Sequence, residues 1–198
     1  FSKTLSPTGS VLVSEEQAQA NLDAFLAEIK STNATTFTPL AETYYEMTRY
    51  LRGLSRFQGA RAASASANYE SPIQYRCQRT FGIVVTDGLP TYDTSFPATD
   101  PDEDNPAVAG GDNLPDWDGD NDSDGMYLDD IARFAHDVDM RNTTALDLAG
   151  KSFNQAGFAK QNMQTYTIGF TINNDLLQDA ADYGRGRYYS ANNSGQLK

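Results

Sequence analysis

Apolar positions recur at helical spacing in some stretches of the chain and collect into short β-branched or aromatic runs in others, and the two patterns alternate. Ala18, Leu22, Phe25, Leu26 and Ile29 share one helical face, which predicts a helix from about Glu15 to Lys30. Ser14 and Gln17 ahead of it have the spacing of a capping box. Leu40, Tyr44, Met47, Leu51 and Leu54 repeat the pattern after Thr38-Pro39, a pair that suits an N-cap and first helical position, and this second helix ends near Gly53. Leu128, Ile131, Phe134, Ala135 and Val138 define a third helix, and Asp175–Tyr183 a fourth that stops at Gly184. Between these lie the strand-like runs: Val11–Val13 as a short lead-in, Phe81–Val85 as a buried strand ending at Thr86-Asp87-Gly88, Gln164–Ile172, and Arg187–Ala191. Gly195–Lys198 reads as the start of a further helix. Ser55 to about Gln78, Tyr92 to about Gly125, and most of Asn142–Asn162 read as loop. Alternation of this kind predicts an α/β fold, a Rossmann-like mostly parallel sheet with helices on both faces.

The charge is concentrated in one place. Twelve acids and no Lys or Arg fall between Asp100 and Asp130, and the net charge of −12 equals that count, so the rest of the 198-residue chain is neutral. Such a segment repels nucleic acid and anionic membranes and attracts cations. No run of about 18 apolar residues exists, so no membrane span is expected. Cys77 is the only cysteine, read equally as a small apolar residue or as half of a disulfide to a segment outside this sequence. The start at Phe1-Ser2-Lys3, without Met or a signal-peptide pattern, is read as an internal piece of a longer protein.

Three separated segments resemble the von Willebrand factor type A domain family. Thr38-Pro39-Leu40-Ala41-Glu42 looks like its threonine loop entering a helix, Ile83–Gly88 like its central strand with a terminal Asp-Gly, and YTIG with LLQDAADYGRGRYYSANNSGQL like its closing strand, helix and strand. Within that family SPIQYRCQ, DGDNDSDG followed by LDDIARFAHDVDMR, and QTYTIGF resemble the amino-terminal region of PilY-type type IV pilus tip proteins. The resemblance implies a partial A-type domain over residues 1–198, its first strand placed upstream of Phe1, with an acidic insertion over 92–130. It also implies a carboxyl-terminal propeller elsewhere in the protein, pilus subunits or a tip complex and a surface or host receptor as partners, and a location on the pilus tip, cell surface or outer membrane.

Two sites follow. In the family, an Asp-x-Ser-x-Ser loop, a threonine and an aspartate hold Mg²⁺ or Mn²⁺ at the sheet edge; carried over, Thr38 is the threonine and Asp87 the aspartate. This chain contains no Asp-x-Ser-x-Ser, and Asp93-Thr94-Ser95 begins the pattern without completing it. The resemblance places the missing loop on the upstream strand. For Thr38 an ordinary N-cap and for Asp87 a turn-capping acid are the plain alternatives.

The second site is read from the residues. Asp120, Asp122, Asp124 and Gly125 fit the opening of a Ca²⁺ loop, in which alternate side chains point oxygens at one ion and the glycine turn presents the backbone carbonyl of Met126. Position twelve is Ile131 rather than Glu, so closure falls to Asp129 or Asp130; Asp118 opens an alternative register with Asp120 and Asp122. Trp117, amid these acids, is read as either an anchor or an exposed contact, His136 as a helix-surface residue, and Tyr188-Tyr189 as sheet-packing residues. The expected function is a Ca²⁺-binding adhesion or interaction domain that contributes to attachment and pilus biogenesis. A metal-free scaffold in pilus assembly is the alternative. A metal-dependent hydrolase is weaker, since the chain has one histidine and no nucleophile elbow.

Overall fold

β1 (Thr80–Thr86), β2 (Met163–Phe170) and β3 (Arg185–Ala191) form a three-stranded sheet in that order, with both pairings parallel. Residues 15–31, 37–57, 68–95, 97–100, 113–120, 125–193 and 195–196 are described by this computed structural model. Parallel neighbours need a crossover between them. Here α3 (Leu128–Asp137) lies between β1 and β2 in sequence, and α4 (Asp175–Tyr183) between β2 and β3; α1 (Glu15–Ser31) and α2 (Leu40–Arg52) precede the sheet. The chain is therefore α/β, a parallel sheet flanked by helices, as the alternation of patterns predicts. It divides into two compact units, Phe1–Thr36 and Phe37–Lys198. In the first, α1 carries Leu22, Leu26 and Ile29 exposed; Val11–Val13 and the capping pair of Ser14 with the Gln17 side chain lie outside what is described. The same holds for Leu197 and Lys198, where a further helix was expected.

β2 alternates strictly. Met163, Thr165 and Thr167 are buried, whereas Gln164, Tyr166 and Ile168 are half-buried. Hydroxyls reach the interior because helices satisfy them: Tyr44 of α2 shares a 2.6 Å hydrogen bond with Thr165, and Thr167 donates to the Leu177 carbonyl of α4 at 2.5 Å. These two bonds fix α2 and α4 against the central strand. The apolar core between sheet and helices comprises Ala41, Tyr45 and Leu51 of α2, Leu128, Ile131, Phe134 and Ala135 of α3, and Leu177 and Ala180 of α4. Each large side chain buried there contributes about 1.5–3 kcal/mol.

β1 departs from the continuous buried strand that its composition suggests. Phe81, Ile83 and Val85 are 51%, 65% and 58% exposed, while Gly82 and Thr86 are buried. The apolar run thus splits by the strand's two-residue period. Its inward positions are Gly82, Val84 and Thr86, and the first is a glycine because α2 packs close there: the Tyr44 ring and hydroxyl occupy the space that a Cβ on Gly82 would need. Gly186 in β3 has a similar origin, since a Cβ there would enter the Thr165 carbonyl at the point where the β2–β3 register shifts. Tyr188 packs against the core with its hydroxyl donating to the Ile172 carbonyl at 3.2 Å, whereas Tyr189, expected to pack, is exposed.

The other elements fall near their expected bounds. α2 ends at Gly53 in the left-handed conformation, φ 73°, whose N–H bonds the carbonyls of Arg49 and Tyr50. Cys77 is an exposed free thiol. Residues 142–162 remain non-helical and mostly exposed, held by buried Phe153 and by Asp147, which accepts from Arg76, Ala149 and Lys151.

Replacing Gly82 by Ala is expected to lower stability by about 1–3 kcal/mol in urea unfolding, the usual cost of an overpacked core. Gly82→Ala combined with Tyr44→Phe, which removes the colliding hydroxyl, should recover part of that loss.

Candidate functional site

The carboxyl edge of the sheet is built differently from the reading that Thr38 caps α2. The N-cap position is Pro39, with no side-chain cap bond. Thr38 is engaged through its backbone: its N–H donates to the Thr91 hydroxyl at 2.9 Å and its carbonyl accepts from the Thr91 N–H at 3.1 Å. The cap comes from Asp93, whose two carboxylate oxygens accept from the N–H groups of Ala41 at 2.6 Å and Glu42 at 2.8 Å. Glu42 reciprocates, accepting from the N–H groups of Thr94 and Ser95 at 3.0 and 2.7 Å. This is the logic of a capping box assembled between segments more than fifty residues apart. Asp93 is fully buried, and burial raises its carboxyl above the ordinary range although the amides at the helix start favour its charged form. Asp93-Thr94-Ser95 is therefore committed to holding α2. Asp87 stands exposed just beyond β1, in a turn where the Thr86 hydroxyl, not Asp87, accepts from the Gly88 N–H at 3.2 Å.

Carboxylates converge instead at the start of the acidic loop. A short 3-10 turn, Leu114–Asp116, buries Leu114, and the next residue, Trp117, is 4% exposed. Its indole meets Phe134 edge-on at 5.0 Å and donates to Asp137 at 3.3 Å. Trp117 is thus an anchor, which settles the choice its sequence context leaves open. On either side of it, Asp116 and Asp118, together with Asp120, can each place one carboxylate oxygen within 4.8 Å of the others. Gly119 lies at φ 89° and Gly125 at φ 86°, in the left-handed region glycine favours, the second as the expected sharp turn requires.

α3 meets this loop with Asp130. One oxygen of its fully buried carboxylate accepts from the Asp118 N–H at 3.1 Å, while Oδ2 is buried without a hydrogen-bond partner among the described residues. Burial, augmented by the Asp118 and Asp120 charges, pushes the Asp130 carboxyl up to about 7. One turn along, Arg133 donates to the Asp118 carbonyl at 2.8 Å and pairs with Asp137 at 3.6 Å. The loop is also tethered upstream, where buried Asp100 takes Arg52 at 2.7 Å and the Tyr45 hydroxyl at 3.0 Å.

Of the residues expected to bind Ca²⁺, the structure brings the carboxylates of Asp118 and Asp120 together, and Asp130 meets the loop through the Asp118 N–H. Asp129 is buried on the same first turn of α3, and Met126 packs against the core. Asp122 and Asp124 lie outside the described residues. Asp116 was missed, although the alternation that singles out Asp118 and Asp120 extends one step upstream to it. All-oxygen groups of this kind suit hard divalent cations, which offset the mutual repulsion of the carboxylates. His136, half-buried on α3, places Nδ1 3.3 Å from Asp137.

No family model, curated protein or solved structure matches the chain.

With divalent ions chelated, Asp130 imposes a pH dependence whose sign follows from its raised value. An unfolded aspartate titrates near 3.9, so between about pH 4 and about 7 the folded chain binds more protons, and stability from this group falls as pH rises. Urea unfolding of the wild type and Asp130→Asn across that range is expected to show the variant gaining relative stability up to about pH 7 and levelling off above it. A difference that does not change with pH would show that Asp130 titrates as it does in the unfolded chain.

Proposed function

We propose that this chain is a Ca²⁺-binding interaction domain of the von Willebrand A type, from a PilY-like type IV pilus tip protein, serving attachment and pilus biogenesis at the cell surface. The observation that carries the cation is the convergence of Asp116, Asp118 and Asp120 beside the buried carboxylate of Asp130. The motifs shared with A-type domains and the parallel sheet support the family reading. The ion's place is the acidic loop rather than the sheet edge, since Asp93 is committed to capping α2 and Asp87 stands exposed beyond β1. Mg²⁺ or Mn²⁺ binding at Thr38 and Asp87 belongs to the same proposal only if the upstream Asp-x-Ser-x-Ser loop is supplied.

Calorimetric titration should find about one Ca²⁺ per molecule, and melting should shift upward by mass action, by about 2.7 kcal/mol at a hundredfold excess over Kd. Asp118→Asn with Asp120→Asn is expected to abolish both signals, and Asp87→Asn to leave them unchanged. Beads coated with the chain should lose attachment to host cells on chelation and in the double variant. Calcium that neither binds nor stabilises would leave the metal-free scaffold; a loss with Asp87→Asn would move the ion to the sheet edge.

A further inference from the structure

Away from the acidic loop, the sheet carries an apolar surface on the side that α2, α3 and α4 leave open. Phe81, Ile83 and Val85 of β1 and Tyr189 of β3 are exposed there, and Tyr166, Ile168 and Phe170 of β2 are half-buried. The register sets them side by side, Ile83 opposite Tyr166, Val85 opposite Ile168, and Ile168 opposite Tyr189. Phe81 meets the Tyr166 ring at 6.1 Å. None of these seven side chains belongs to the core beneath the helices. Single exposed apolar residues are ordinary, but a contiguous group of them marks an interaction surface, and parallel sheets bury both faces.

We propose that this face is covered by the same face of a second copy of the chain, in a two-fold dimer whose β1 strands run antiparallel across the interface. Charge selects the occupant. The two-residue period that turns Phe81, Ile83 and Val85 outward brings Arg79 before them and Asp87 after them onto the same side, and both are exposed. Read at alternate positions, β1 presents Arg, Phe, Ile, Val and Asp, with opposite charges equally far from Ile83. A two-fold axis crossing the strands at Ile83 turns this pattern into its own complement. Arg79 of each copy then faces Asp87 of the other, Phe81 faces Val85, and Ile83 meets its equivalent. Strands running parallel would instead set Arg79 against Arg79 and Asp87 against Asp87, which is repulsive. β2, at the centre of the sheet, offers Gln164, Tyr166, Ile168 and Phe170 outward and no charge, so no ion is buried unpaired there. Arg187, exposed on the outer strand β3, lies at the margin, where a long side chain keeps its charge in water. Two sheets packed in this way keep their strands within about 30° of one another.

Sedimentation equilibrium of the full chain should show monomer and dimer exchanging with concentration. Ile83→Asp places two carboxylates together on the axis and should weaken the dimer about tenfold or more. Ile83 is exposed in the single chain, so the variant should stay folded, which far-UV dichroism checks. Arg79→Asp and Asp87→Arg should each weaken the dimer as well, and the two combined should restore it, because the exchanged charges pair again across the axis. A monomer at every concentration up to about 0.1 mM, where even a weak specific interface is populated, would overturn the proposal and leave the face to another occupant. A dimer that Ile83→Asp leaves intact would place the contact elsewhere on the chain. A combined charge exchange that fails to restore association would overturn the antiparallel arrangement.

Discussion

Phe134 is where the architecture of this domain is tied together. It lies fully buried on α3, with Tyr45 of α2 at 6.2 Å, the Trp117 indole at 5.0 Å and the Arg52 guanidinium at 5.8 Å from its ring. Each neighbour belongs to a different part of the structure: Tyr45 to the helix that packs on the sheet, Trp117 to the acidic loop, and Arg52 to the ion pair that receives Asp100. Aromatic edges and a cation at such distances add specific attraction to the area they bury. A loop carrying a large negative charge is thus tied to an otherwise neutral domain through the buried Leu114 and Trp117 and the polar contacts around them.

The buried aspartates show how that charge is managed. Asp93 is satisfied by the amides of a helix start, Asp100 by Arg52 and Tyr45, and Asp147 by Arg76 and the amides of its own turn. A buried carboxylate is tolerated when donors or a cation replace the water it has lost. Asp130 is satisfied less fully, by the Asp118 N–H on one oxygen and the neighbouring Trp117 amide, with acids nearby. The contrast distinguishes it from the others more firmly than its place in an acid-rich sequence does.

Local patterns and long-range chemistry were legible to different degrees. The periodicity of α2, α3 and α4 and the run of β2 could be read because each element's apolar spacing records the one face it buries, and Gly53 and Gly184 mark helix ends through local backbone geometry. The strand at Phe81–Val85 was legible as a strand but not in its burial, because β-branched and aromatic residues suit either face of a sheet. Thr38 illustrates a different failure: its local context fits an N-cap, yet a carboxylate from beyond β1 fills that role.

By itself, then, the sequence determined which segments become helices and strands, the parallel α/β class, and the concentration of acidic residues in one loop, all properties encoded by neighbours along the chain. Only the tertiary structure decided that Asp93 caps α2, that Asp116 gathers with Asp118 and Asp120, that Asp130 receives the Asp118 N–H, and that Trp117 is buried. The reason is physical: satisfying a carboxylate or burying an indole depends on which donors and rings arrive from elements distant in sequence, and spacing along the chain does not record those arrivals.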